Sequence, residues 1–107
     1  MISNPNVIDL VAHDPASGEY ALVMVEERSW DGSEARLFEL QAKTNTYLTY
    51  ALDGLMAEHY PQSQGQPVRL QLDCPAQPDD TTAAFLEMLA GAVRGEGLQF
   101  VVNVLHP

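Results

Sequence analysis

The groups able to do chemistry in this chain are few and widely spaced. His13 precedes Asp14, His59 precedes Tyr60-Pro61, and His106 stands beside the last residue. A zinc site read from sequence needs two histidines four apart on a helix, or a Cys-x-x-Cys pair, and neither spacing occurs. A site assembled across the fold from His13, Asp14 and His59 would need supporting partners that no spacing supplies. Cys74 would be a nucleophile only with a histidine base beside it. It instead closes the alternation Val68, Leu70, Leu72, Cys74, the setting of an inert buried thiol. Glu26 and Glu27 are neighbours on a strand and point to opposite faces, so they make poor acid/base partners. Asp79-Asp80 suits a helix N-terminus. There is no G-x-S-x-G, no Gly-rich phosphate loop and no H-E-x-x-H. These residues point to no catalytic group, no cofactor and no metal, and lean away from an enzyme.

A second feature concerns polarity out of place. Between Glu34 and Leu55, a period of 3.6 puts Leu37, Leu48, Ala51, Leu52 and Leu55 on one helix face. Gln41 and Thr44 fall within that stripe and Asn45 on its flank. Amides on a buried face need partners. Gln41, Thr44, Asn45 and Tyr47 therefore form either a structural polar cluster or the wall of a small pocket, to which His13 could contribute.

The elements that would position these groups are well marked. Val7 to His13 reads as a strand, Asp14-Pro15-Ala16-Ser17-Gly18 as a hairpin loop, and Glu19 to Glu27 as the returning strand. Asp31 and Glu34 form an acidic capping box for the long helix, which stops at Asp53-Gly54. Leu55 to Tyr60 adds a short turn before Pro61. Val68 to Cys74 alternates as a strand with one wet face, suiting a sheet edge. Asp79 or Asp80 caps a second helix with Phe85, Leu86, Leu89 and Val93 on its apolar side. Leu98 to Leu105 is the last strand.

The order β-β-α-β-α-β in a single domain, 1–107, predicts an α+β two-layer sandwich: a four-stranded mixed sheet with both helices on one face. If Ile8, Leu10, Leu22, Leu70, Phe100 and Val102 face the helices, then Val11, Val23, Val25, Val101 and Leu105 line the reverse. With Trp30, and with Tyr20 as a further aromatic, they form a candidate protein interface.

Fifteen acids against five bases give a net charge of −10. That field repels phosphate backbones and anionic lipid, so neither nucleic acid nor a membrane is an expected partner. One cysteine forbids an internal disulfide, no secretory signal is visible, and no apolar run reaches the ~20 residues of a bilayer span. The expected compartment is the cytoplasm.

The segments Asn4-Pro5-Asn6-Val7-Ile8-Asp9-Leu10-Val11, Leu40-Gln41-Ala42-Lys43-Thr44-Asn45-Thr46-Tyr47-Leu48 and Tyr60-Pro61 resemble an uncharacterised family of small bacterial domains. That family shows a VIDL strand, an L-Q-x-K-x-N-x-Y-L helix and a Tyr-Pro before a later strand. The resemblance implies a bacterial cytoplasmic protein of unknown function and lends no catalytic residue. The expected role is a non-enzymatic protein-interaction or accessory module, with a homodimer as its simplest form. The alternatives are a small-ligand binder or enzyme using Gln41, Asn45, Tyr47 and His13, and an acidic, antitoxin-like inhibitor of a basic protein.

Overall fold

The computed structural model describes residues 1–105, so His106 lies outside the described residues. The strands are β1 (Leu10–His13), β2 (Tyr20–Val25), β3 (Val68–Cys74) and β4 (Gln99–Val104). The helices are α1 (Glu34–Leu52), α2 (Leu55–His59) and α3 (Asp80–Gly95), with a 3-10 turn at Pro61–Ser63. The sheet order is β1-β2-β3-β4; β1 is antiparallel to β2, while β2, β3 and β4 are parallel. This is the expected mixed α+β sandwich.

Both helices cover the same face, and the connections explain why. β2-α1-β3 and β3-α3-β4 step across the sheet in the same direction. Crossovers of one hand then place both helices on one side. Leu40, Tyr47 and Tyr50 of α1 and Leu86, Leu89, Ala90 and Val93 of α3 close over Tyr20, Leu22, Met24, Leu70, Leu72 and Phe100 in a single cluster. Burying that apolar surface is the main favourable contribution to folding.

Local chemistry sets the element ends. Gly18, at φ 79, closes the hairpin loop, with its N–H donating to the Asp14 carbonyl. Ser33, not Asp31, is the N-cap of α1: its hydroxyl accepts from Arg36 N–H, while Asp31 accepts from Ser33 N–H one step earlier. The expected cap is thus displaced by two residues, because Asp31 shapes the loop rather than the helix. Gly54, at φ 96, follows α1 as its stop. Asp79 caps α3 by accepting from both N–H and Oγ1 of Thr82.

Two further expectations need correction. β3 is interior rather than an edge; its wet face is wet because no helix covers it. β1 begins at Leu10 rather than Val7, since Val7 to Asp9 are drawn toward α1.

Gly32 couples the two helix starts. Its φ is 69, and a Cβ placed there would lie 2.9 Å from the Asp79 carboxylate that caps α3. Gly32→Ala is therefore expected to lower stability by about 1–3 kcal/mol, through left-handed strain and a displaced cap. Urea unfolding measures this, and an unchanged midpoint would contradict it.

Candidate functional site

The buried face of α1 is not the stripe that hydrophobicity outlines. It is made by Arg36, Leu40, Lys43, Thr44, Tyr47 and Tyr50. Leu37, Leu48 and Ala51 are half-buried on the flank, while Leu52 and Leu55 are exposed. Long amphipathic side chains carry polar ends through the core to fixed partners, and a count of apolar residues misses them.

Lys43 is wholly buried. Its ammonium donates to the carbonyls of Asn4 (2.7 Å) and Val7 (2.6 Å) and to Asp9 Oδ1 (2.9 Å). Asp9 Oδ1 also meets the amino group of Met1, and Oδ2 accepts from Val25 N–H at 3.0 Å. One turn along α1, the Tyr47 hydroxyl accepts from Asp9 N–H (2.7 Å) and donates to the Val23 carbonyl (2.6 Å). Burial by itself would raise the Asp9 pKa. The bonds from the Met1 amino group, Lys43 and Val25 outweigh it and hold the carboxyl below its usual value. Burial also pushes the Tyr47 hydroxyl well up, keeping it neutral.

A second network leaves only a faint trace in the sequence. The Glu26 carboxylate, buried at the end of β2, takes a bidentate bond from Arg28 (2.8 and 2.9 Å) and lies 3.1 Å from Arg36 Nη2. Arg28 also bonds Glu39 at 2.6 Å. Arg36 donates to the Ser29 carbonyl and lies over the Trp30 ring, while Trp30 Nε1 donates to the Ala76 carbonyl. Burial opposes the charge on Glu26, but its bonds to Arg28 prevail and its pKa is lowered. A guanidinium already answered by carboxylates is not free for an anionic ligand, so this cluster ties loop to helix rather than forming a binding site. The only local sequence signal was Glu26-x-Arg28 followed by Arg36 and Glu39 three apart.

The reverse of the sheet differs in detail from expectation. Val11 pairs with Leu22 and packs against the core, so it faces the helices. Leu10 takes the outward place, 53% exposed. The exchange follows from a one-residue change of register, which flips every side chain of a strand. Val23 is buried and Val25 half-buried; Val101 and Leu105 are exposed. Val102, expected inward, is also exposed, because β4 is an edge. Trp30 and Tyr20 pack with the core rather than on the reverse. No helix covers this face. Its middle instead carries a bonded line of polar side chains: Glu19 to Arg69, Arg69 to Gln71 (3.0 Å), Gln71 to Asp73 (2.8 Å) and Asn103 to Asp73 (3.1 Å).

The expected polar pocket does not assemble. Gln41 and Asn45 bond each other (3.2 Å) on the outer side of α1, where Gln41 joins Glu34, Leu37, Phe38 and Phe85 around a groove of about 250 Å³. Thr44 is buried against Met24. Tyr47 is engaged with Asp9, and His13 stacks on Tyr20 at the far end of β1 (4.3 Å). His59 Nδ1 lies 3.0 Å from the Tyr50 hydroxyl. Among the described residues no group of three or more His, Cys, Asp or Glu has the geometry to hold a metal, and no helix is long and apolar enough to cross a membrane. The Cys74 thiol is buried, which raises its pKa.

Two outcomes follow from the Asp9 network. Tyr47→Phe leaves the Asp9 N–H and Val23 carbonyl without their shared partner and is expected to lower stability by about 1–3 kcal/mol, measured by urea unfolding. Asp9 and Glu26 are both held below their ordinary pKa. Their contribution to stability is thus present above the usual carboxylate range and lost as pH falls through the lowered values. Acid unfolding should therefore begin only below about pH 4; stability flat into strong acid would contradict this, as would no loss in Tyr47→Phe.

The comparisons with known proteins agree with the residue motifs. Asp9 of the VIDL segment and Lys43 and Tyr47 of the helix motif, read separately along the chain, meet in one network. No curated protein and no solved structure matches the chain. One family model does match, over residues 1–106: a family of unknown function, DUF6572. The chain belongs to that family.

Proposed function

We propose that this chain is a non-enzymatic interaction or accessory module of the bacterial cytoplasm, which docks another protein surface on the uncovered edges of its sheet. The observation that carries the reading is the placement of exposed aliphatics. Leu10 on β1, and Val101, Val102 and Leu105 on and just beyond β4, lie at the two rims of a sheet whose other face is filled by helices. Apolar side chains beside unpaired strand edges are the material of strand-addition interfaces.

Charge supports a protein partner of a particular kind. Arg28, Arg36, Lys43 and Arg69 are each bound to acids of the chain itself. Among the described residues, eleven of the fifteen acids have no such cation, so their surface is largely anionic. That surface disfavours nucleic acid and anionic lipid and selects partners that are neutral or basic where they touch. A single buried thiol suits a reducing compartment.

The test is cross-linking in native extract followed by mass analysis. The reagent should be carboxyl-directed, because the only lysine, Lys43, is buried. The expected result is a protein conjugate whose links fall on acids beside the sheet edges: Glu87 or Glu96 near β4, or Asp14 at the end of β1. Recovery of the chain only as an unlinked monomer, together with a constant solution mass on concentration, would contradict the reading.

A further inference from the structure

We infer that β4 is the docking edge and that its occupant is a second copy of this chain, the two β4 strands pairing antiparallel across a two-fold axis. The inference rests on the interaction-module reading and names its partner.

β4 carries none of the devices that keep a strand edge from pairing. Gln99-Phe100-Val101-Val102-Asn103-Val104 itself has no charge, no proline and no glycine; Glu96-Gly97 come before it, and Leu105 extends it before His106-Pro107. Natural edges are usually short, or bear lysine, proline or a bulge. β1 follows that practice by being short: it has four residues against the six of β4. Val101 and Val102 point to opposite faces, yet they are 39% and 37% exposed. The strand is therefore open on both faces at its middle, while Phe100 stays buried. An uncharged edge is also where two chains of net charge −10 can meet without setting like charges against each other.

The neighbouring helix argues for a second copy over a foreign strand. Phe85 turns toward α1, where it lines the groove with Leu37 and Phe38. Glu87 and Arg94, seven residues apart, share the flank of α3 away from Phe85, while Ala90 between them packs into the core. Glu87 and Arg94 are exposed, and Arg94 is the one Lys or Arg without a salt bridge among the described residues. In an antiparallel pair of α3 helices each Arg94 faces the partner's Glu87, twice across the axis. Gly91 lies between them, exposed and with no side chain to hold a second helix away. This flank is complementary to itself, as an isologous contact requires.

The dimensions agree. A helix joining adjacent parallel strands lies over the gap between them. With strands about 4.8 Å apart, pairing β4 with β4 sets the two α3 axes about 10 Å apart, at the upper end of helix packing distances. Along the strand, Ala90 lies about 7.5 Å back from Gly95, and Val101 about 7 Å beyond Gln99. One axis can therefore pass near both Val101 and Ala90.

The experiment is sedimentation equilibrium on the full chain and four variants: Glu87→Arg, Arg94→Glu, the two combined, and Val101→Lys. The wild type should dimerise. Each single reversal should weaken the dimer about tenfold or more, since it sets like charges together at both contacts, and the combined swap should restore it. Val101→Lys should be monomeric with an unchanged circular dichroism spectrum. Should that variant unfold, the exposed Glu87 and Arg94 swaps still decide. A dimer indifferent to every substitution overturns the inference, because its contact lies elsewhere. A monomeric wild type that is still cross-linked to another protein along its sheet edges overturns the inference and leaves the module reading standing. A monomeric wild type that is never cross-linked overturns both.

Discussion

A lysine ammonium sealed from water organises this molecule. Buried charge is costly unless it is paired and hydrogen-bonded. Lys43 meets that demand by drawing the carbonyls of Asn4 and Val7 and the carboxylate of Asp9 onto α1. The N-terminal segment is thereby folded over the helix, and the hydrogen-bonded sheet cannot start before Leu10. Asp9 in turn holds the Val25 amide, and Ile2 N–H donates to the Val25 carbonyl. Opposite Val25, where β1 has not yet begun, the N-terminal segment thus takes up the β2 backbone bonds. Tyr47 joins the same carboxylate segment to Val23 and fixes the rotation of α1 about its axis.

Much of the fold was legible because it follows period and punctuation. The clean alternation Val68 to Cys74, the Asp79 cap and the Asp53-Gly54 stop each match the structure, and so does the layer plan. The failures share one cause. The apolar stripe leaves out Arg36 and Lys43 and takes Tyr47 only as part of a polar cluster or pocket wall, which rotates the apparent buried face of α1 toward Leu37, Gln41 and Leu48. Burial of Arg36, Lys43 and Tyr47 depends on Asp9 and Glu26, which are remote in sequence and supply the compensating charge. The orientation of Val11 failed in the same way. The sequence pattern starts its strand at Val7, and a strand of four residues is too short for the pattern to reveal its register.

The candidate site was legible only in outline. The motif residues Asp9, Lys43 and Tyr47 were present in the family-like segments, but nothing in their spacing said that they meet. The open sheet face was foreseen, whereas the line Glu19–Arg69–Gln71–Asp73–Asn103 that covers its middle was not. That line moves the apolar, exposed part of the sheet to its edges. The internal ion pairs have a matching effect on charge. By holding four of the five cations within the chain, they leave an anionic exterior interrupted at the uncharged β4. Internal polar order and external docking surface thus have a common origin.

The claim on which this rests is that Lys43 and Asp9 act as one unit. A double-mutant cycle with Asp9→Asn and Lys43→Met, read by urea unfolding, measures that directly. Removing either partner alone should lower stability by about 3–5 kcal/mol, because a charge is left buried without its counterpart. Removing both should cost clearly less than the two losses together. Losses that simply add would mean that the pair is not coupled and that the N-terminal segment is held by something else.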